Sequence, residues 1–320
     1  MRLATLRDGS PDGALVVVSG DGERMLPAGS NLLGAIEWWD EWAPRLAELA
    51  AEVERSGEPL DQTRLAAPLP RSWQWLDGSA FETHGRLMQV AFGLDPVPTD
   101  RPLMYQGVSD RFYGPFDDIP FPDSSLGIDF EGEYGVIVDR VPMGVSPDEA
   151  ARHIRLLVQI NDWSLRTLAP IEMRTGFGWI QAKPPCSVAP FAVTPDELGE
   201  GWADGRVALP LEIEWNGCRF GAANGAEMLF SFPQLVAHAA RTRELVAGTI
   251  IGSGTVSNAA YAEVGSSCIS EVRAAEIIAA GAPQTPFMAH GDRVRMEARA
   301  SDGRSPFGVI QQRVVVTAAS

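Results

Sequence analysis

The stretch Gly127-Ile128-Asp129-Phe130-Glu131-Gly132-Glu133-Tyr134-Gly135-Val136-Ile137-Val138 constrains this chain more than any other. Its second half is an apolar run of strand-forming residues, and its first half sets acids at every other position. On one extended strand, side chains two apart share a face, so Asp129, Glu131 and Glu133 are expected to point the same way. Three carboxylates side by side repel one another, and such a face needs water, protons or a cation. A solvated face is the ordinary arrangement for acids on a strand. The flanking Ile128, Phe130 and Val136 to Val138 read instead as buried. A solvated acid face and a buried cation site thus remain two readings of the same residues.

The rest of the chain bounds the fold. Strand-like runs separated by Gly, Pro and Asp dominate from Ile128 onward. Helical patterns are fewer, at about 33–56, 146–160 and 231–243. The second opens on Ser146-Pro147-Asp148-Glu149, an N-cap, an N1 proline and first-turn acids. This balance predicts a β-rich α+β fold rather than a doubly wound nucleotide-binding one. Trp38, Trp39 and Trp42 fall at helical spacing and are expected to be core rather than a ligand platform. The Pro-rich stretch Ala67-Pro68-Leu69-Pro70-Arg71 is expected to link a small N-terminal domain, 1–72, to a catalytic domain, 73–320.

Three further signals carry chemistry. Asn161-Asp162-Trp163-Ser164-Leu165-Arg166 follows the apolar run 154–160, expected to be helical, and Asp162 could be a turn residue or a third oxygen ligand. Three carboxylates suit a hard cation such as Mg²⁺ or Ca²⁺. Zinc is not indicated, because neither motif contains His or Cys. Lys183 stands before Pro184 and Pro185, ordinarily a surface position. The glycine-rich Gly248-Thr249-Ile250-Ile251-Gly252-Ser253-Gly254-Thr255-Val256-Ser257-Asn258 offers hydroxyls and free amides to a carboxylate, without the residue order of a P-loop.

In this order the four signals resemble the fumarylacetoacetate hydrolase family, whose hallmarks are D-x-E-x-E on a strand, N-D-x-S-x-R, a downstream Lys and a late G-S-G-T. They stand here as DFEGE, NDWSLR, Lys183 and GSGTVSN. The match runs from about Met104 to near the C-terminus. MYQGVSD and VPMGVSPDEA add to it, and the opening MRLATLRDGS with GALVVVS is similar to the small leading domain of longer bacterial members. The resemblance implies a mixed β-sandwich or roll for the C-terminal domain. It implies Glu131, Glu133 and Asp162 as ligands of a divalent cation, Mg²⁺ foremost, with Mn²⁺ or Ca²⁺ as alternatives. Lys183 would neutralise substrate oxyanion charge. Thr255 with Gly254 and Ser253, together with Tyr113 and Arg166, would contact substrate. The chemistry implied is cleavage of a carbon–carbon bond in a β-diketone-like oxo acid, with the cation stabilising enolate charge. A homodimer is the implied assembly.

The sequence departs from the family at the general base. His84 resembles the histidine of the lid motif N-Y-x-x-H-x-x-E, but Leu87 stands where that motif has its glutamate. The fumarylacetoacetases proper carry D-F-Y with a histidine seven residues after the aspartate. Aligned on Phe112-Tyr113, that arrangement leaves Asp110 displaced and Asp117 and Asp118 near the histidine's place. Ala169 and Met173 replace a substrate-contacting Gln and Tyr, which predicts a less polar pocket. Lacking a partner, His84 is expected to matter less than Lys183. Three readings result: a hydrolase; a non-hydrolytic decarboxylase, tautomerase, isomerase or cyclase of a biosynthetic pathway; and a non-catalytic binding protein.

Composition enters where it excludes. A net charge of −16 with no basic stripe argues against a nucleic-acid partner. No apolar run reaches the length of a membrane span, and the N-terminus lacks a signal-like stretch, so the cytoplasm is the expected compartment. Cys186, Cys218 and Cys268 form no C-x-x-C pair, indicating neither a zinc knuckle nor a disulfide framework.

Overall fold

A computed structural model describes residues 1–95 and 100–317. Its spine is an 11-stranded mixed sheet. Gly132–Val138 lies in its interior, antiparallel both to Ile154–Asn161 and to Ile250–Gly252. Beyond Ile250–Gly252 come Trp75–Ser79, in parallel, and then Leu103–Gly107. On the other side, Ile154–Asn161 passes through Ala192–Val193 to the N-terminal strands Arg2–Leu6, Ala14–Val18 and Arg24–Pro27. The leading segment therefore continues the same sheet.

Strands buried on both faces read as continuous apolar runs, and both faces of this spine are covered. One face packs on a five-stranded sheet in the order Cys218–Asn224, Pro210–Trp215, Arg293–Ala298, Val309–Val316, Ile119–Phe121. Tyr134, Val136 and Leu157 meet Leu211, Ile213, Met296 and Ile310 in that core. The opposite face packs Leu3, Val17, Ile137, Leu156 and Val158 against Ile36, Trp39, Leu46 and Val53 of the N-terminal helices. The architecture is the β-rich α+β class, two sheets with helices outside.

Three local expectations are corrected. The stretch 146–160 is not one helix. Pro147–Ala150 is helical with the capping box of Ser146 and Glu149, a 3₁₀ turn follows, and Ile154–Asn161 is a strand. A short buried apolar run has no periodicity that separates helix from strand. Pairing along the length of Gly132–Val138 decided it. The stretch 33–56 is two helices, Leu32–Glu37 capped by the Asn31 side chain and Trp39–Ser56. The junction residue Trp38 is 62% exposed, whereas Trp39 is core. The acids of DFEGE do not share one strand. Ile128–Asp129 pairs with Ser164–Leu165 in a separate two-stranded sheet, and Gly132–Val138 belongs to the spine. The break at Phe130 and Glu131 sends the three acids to different neighbours.

Candidate active site

The ends of the spine strands fasten the acids in place. The Glu131 amide donates to Asn161 Oδ1 at 3.1 Å, and the Asp162 amide donates to the Glu131 carbonyl at 2.9 Å. Asp77 arrives from two strands away, with Gly252 lying between it and Gly135. A Cβ at Gly252 would sit 2.4 Å from Asp77 Oδ1 and from the Trp75 ring. Only glycine there lets Asp77 reach toward Glu133. Carboxylate oxygens of Asp77, Glu133 and Asp162, all fully enclosed, lie within 4.8 Å of one another.

Their electrostatics are uneven. Asp162 is well held: Tyr105 donates to Oδ2 at 2.6 Å, Lys183 Nζ to the same oxygen at 2.5 Å, and the Cys186 thiol to Oδ1 at 2.9 Å. Among the described residues, Glu133 meets no donor at either oxygen unless a proton is shared with the neighbouring Asp77 carboxyl. Burial, and then the charge of Asp162, pushes Asp77 up to about 8. Burial, and then Asp77, Asp162 and Glu131, pushes Glu133 well above the usual carboxylate range.

Glu131 turns the other way, toward Arg166 Nη2 at 2.6 Å and toward Lys183. Burial alone would raise its carboxyl, but Arg166 and Lys183 outweigh burial and hold it below the ordinary range. Burial would likewise discharge Lys183, but Asp162 and Glu131 keep it an ammonium. Lys183 is placed by the loop before it. The Glu172 carboxylate accepts the amides of Ile180, Gln181 and Ala182, and the Ala182 carbonyl accepts from the Leu165 amide at 2.8 Å.

Three converging carboxylates, one of them with both oxygens unsatisfied, fit a hard divalent cation, whose preferred ligands are carboxylates and water. The orphaned Glu133 side chain is the observation that most favours this fit. A testable consequence concerns pH. Folding raises the Asp77 and Glu133 carboxyls, so between about pH 4 and 8 the folded chain binds more protons than the unfolded chain. Stability of the metal-free protein should therefore fall as pH rises through that window. A cation that binds the ionised carboxylates should release protons and remove the slope. Thermal melts at pH 6 and pH 8.5, with and without Mn²⁺, should show the larger stabilisation at pH 8.5. A metal-free melting temperature that climbs with pH would contradict these shifts.

His84 has a partner after all. It stands in the helix Glu82–Phe92, which packs on Ile269–Ala280, with Leu87 and Met88 against Cys268 and Ala274. His84 Nδ1 lies 2.8 Å from Glu271 Oε1, and Glu271 is fully buried. The loss of pairing expected from Leu87 is thus corrected, because a carboxylate far along the chain faces the ring. Asp129 fixes that second helix. It accepts the amides of Ile269 and Ser270 at 2.8 and 3.0 Å and holds Arg166 Nε at 2.8 Å, an acid placed at a helix N-terminus.

Several of these groups border one cavity of about 490 Å³. Of the sequence candidates, Glu131, Glu133, Lys183, Arg166, His84, Gly254 and Thr255 border it. Asp162 stands just behind Lys183 and Tyr105. The Thr255 hydroxyl is buried without a partner among the described residues, and Gly254, at φ +75°, is packed where a Cβ would lie 2.4 Å from the Gly78 carbonyl oxygen. Ser253 does not border the cavity, since its hydroxyl accepts the Tyr134 amide and donates to the Gly254 carbonyl. Tyr113 is also outside it, with Arg111 over its ring. Sequence reasoning missed Asp77, Tyr105 and Glu271. Asp77 carried a readable signal: it stands seven residues before His84, the spacing sought instead at Asp110.

The profile described as "Fumarylacetoacetate (FAA) hydrolase C-terminal" matches residues 74–315, and "Fumarylacetoacetase N-terminal domain 2" matches residues 1–71. A 2,4-didehydro-3-deoxy-L-rhamnonate hydrolase of Sphingomonas sp. (strain SKA58) is 31% identical over 163 residues, 50% of this chain and 54% of that protein. The chain spans about half the length of the curated relatives it matches. Among solved structures, the fumarylacetoacetate hydrolase of Exiguobacterium antarcticum is similar with a TM-score of 0.69 and 19% identity, over 99% of this chain and 100% of that one. The maleylpyruvate hydrolase of Sphingobium sp. SYK-6, in complex with manganese(II) and pyruvate, gives 0.67 and 16% over 99% of both chains. With one profile covering most of its length, and Glu131, Glu133 and Lys183 of the family's motifs bordering one cavity, this chain belongs to the fumarylacetoacetate hydrolase family.

Proposed function

We propose that this protein is a divalent-cation-dependent hydrolase that cleaves a carbon–carbon bond in an oxo acid bearing an apolar substituent. The observation that carries the reading is the His84–Glu271 pair at the cavity that also holds Lys183 and Glu133. The alternative of a non-hydrolytic enzyme drew its support from a missing base pair, and Glu271 removes that support. The manganese and pyruvate of the similar maleylpyruvate hydrolase favour a cation and an oxo-acid ligand here as well. Asp77, Glu133 and Asp162 would hold the cation, Mg²⁺ by ligand chemistry with Mn²⁺ or Ca²⁺ as alternatives. When bound, it supplies positive charge beside the oxygens on which negative charge develops.

The chain's own groups have separate tasks. With Glu271 accepting from Nδ1–H, His84 is left with a basic Nε2, and Glu271 stabilises the imidazolium formed when that nitrogen takes a proton from water. The hydroxide so generated adds to the substrate carbonyl, and the carbon–carbon bond breaks to give a carboxylic acid and an enolate. His84 returns its proton to the enolate carbon. The Lys183 ammonium, held protonated by its acids, balances the developing oxyanion. The unpartnered Thr255 hydroxyl offers a donor to the substrate carboxylate.

Met88, Phe92, Leu103, Met104, Met173 and Trp179 also line the cavity. Burying an apolar group there is favourable by about 25 cal/mol per Å², whereas a second carboxylate would lose its hydration. Acylpyruvates with short, long-chain, aryl and carboxylated substituents, assayed with Mg²⁺ alongside oxaloacetate, test the reading. The expected result is hydrolysis with kcat/KM highest for the apolar substituents. Decarboxylation of oxaloacetate without cleavage of any acylpyruvate would favour the non-hydrolytic alternative.

A further inference from the structure

We propose that His84, Cys268 and Glu271 form a second cation site, selective for zinc-type ions, whose occupation switches the enzyme off. One ligand atom from each lies within 4.8 Å of the others. Cys268 is a free, buried thiol at the start of the helix Ile269–Ala280, and Glu271 lies on the first turn of that helix. The second oxygen of Glu271 is buried without a hydrogen-bond partner among the described residues, although its first oxygen meets His84. A carboxylate with one idle, enclosed oxygen beside a thiol and an imidazole has capacity that the His84 pair does not use.

The donor set differs in kind from the carboxylate cluster. Nitrogen, sulfur and one oxygen suit a borderline-soft ion, whereas Mg²⁺ and Ca²⁺ take oxygens. Tetrahedral zinc at about 2.0–2.3 Å from its ligands sets them roughly 3.3–3.8 Å apart, so the three groups need to move little. Entry is from the cavity, which His84 borders with a side chain 13% exposed. The thiol is protonated in the resting protein, because burial and the charges of Asp129 and Glu271 disfavour the thiolate. Arg166, itself balanced by Asp129 and Glu131, favours the thiolate, so the ion displaces one thiol proton to solvent with a cationic neighbour in place.

The effect on turnover rests on His84 being the base. An ion bound at Nδ1 moves the ring proton to Nε2, the nitrogen that must be free to accept one from water. Glu271 is drawn to the ion at the same time. Cys268 has no part in the reaction as proposed, so the thiol can be removed while the His84–Glu271 pair stays in place.

The test uses the full chain saturated with Mg²⁺, so that the carboxylate cluster is filled. Zn²⁺ should bind with a stoichiometry of one per chain in calorimetry, and Co²⁺ as a probe should give a thiolate-to-cobalt charge-transfer band. Cys268→Ser should lose the band and weaken Zn²⁺ binding by more than about 100-fold, since even an outer partner of a ligand contributes 10–100-fold. Turnover of Cys268→Ser should match wild type without zinc and resist zinc concentrations that silence wild type. Cys268→Ala serves if the serine variant misfolds by circular dichroism. A cobalt spectrum without the thiolate band, or equal zinc binding in wild type and both variants, overturns the site. Zinc binding through Cys268 with no loss of activity overturns the switch alone. The metal readouts stand whether or not hydrolysis is the reaction.

Discussion

Glu133→Ala is expected to lose measurable Mg²⁺ and Mn²⁺ binding and to lower turnover by about 10³-fold or more, the scale of removing charge stabilisation from an enclosed site. Glu133 is the informative member of the cluster because it does nothing else. Asp162 also anchors Lys183, Tyr105 and Cys186, and Asp77 also accepts the Gly254 amide, so their removal would disturb the surroundings. Removing Glu133 deletes one of several crowded acids and leaves those bonds in place. The metal-free variant should therefore melt no lower than wild type at pH 8.5, where the repulsion is greatest. Calorimetric titration of both proteins at that pH decides the matter. Binding by Glu133→Ala equal to wild type would show that the cation, if any, sits elsewhere.

The second large effect belongs to the histidine pair. His84→Ala should lower kcat by about 10²–10⁴-fold, the range of general-base assistance. Glu271→Gln keeps the shape of the partner but withdraws the charge that supports an imidazolium, and it should fall in the same range. The double variant should be little worse than either single one, because the two groups act as a unit. Lys183→Met removes charge balance at the oxyanion and should cost on the order of several kcal/mol. Turnover of one confirmed substrate at saturating Mg²⁺ ranks the four proteins. A Glu271→Gln variant with wild-type kcat would reduce the 2.8 Å contact to a structural one.

What could be read in the chain beforehand was the part written in local pattern. The β-rich class follows from short apolar runs divided by turn residues. DFEGE, NDWSLR, Lys183 and Thr255 stand out as candidates, and Glu131, Glu133, Lys183 and Thr255 border one cavity. What could not be read was the part made by long-range pairing. Ile154–Asn161 has no intrinsic helical or strand period, and its neighbours in the sheet chose for it. Asp77 enters through a strand beside Ile250–Gly252, more than 170 positions away, and Glu271 reaches His84 across 187 positions. No spacing rule links such residues. Asp129 was expected to share a face with Glu131 and Glu133, but the bend at Phe130 gave it a helix terminus instead.

The strand Arg2–Leu6 lies antiparallel to Ala192–Val193, which joins it to Ile154–Asn161. A sheet cut at that seam would present unpaired amides and carbonyls beside Leu157 and Phe191, both otherwise buried. Such an open border is a template on which another chain can add a strand, the route by which many β proteins form fibres or swapped assemblies. The first 71 residues thus cover that border of the sheet, and a shortened form lacking them is expected to associate through the exposed edge.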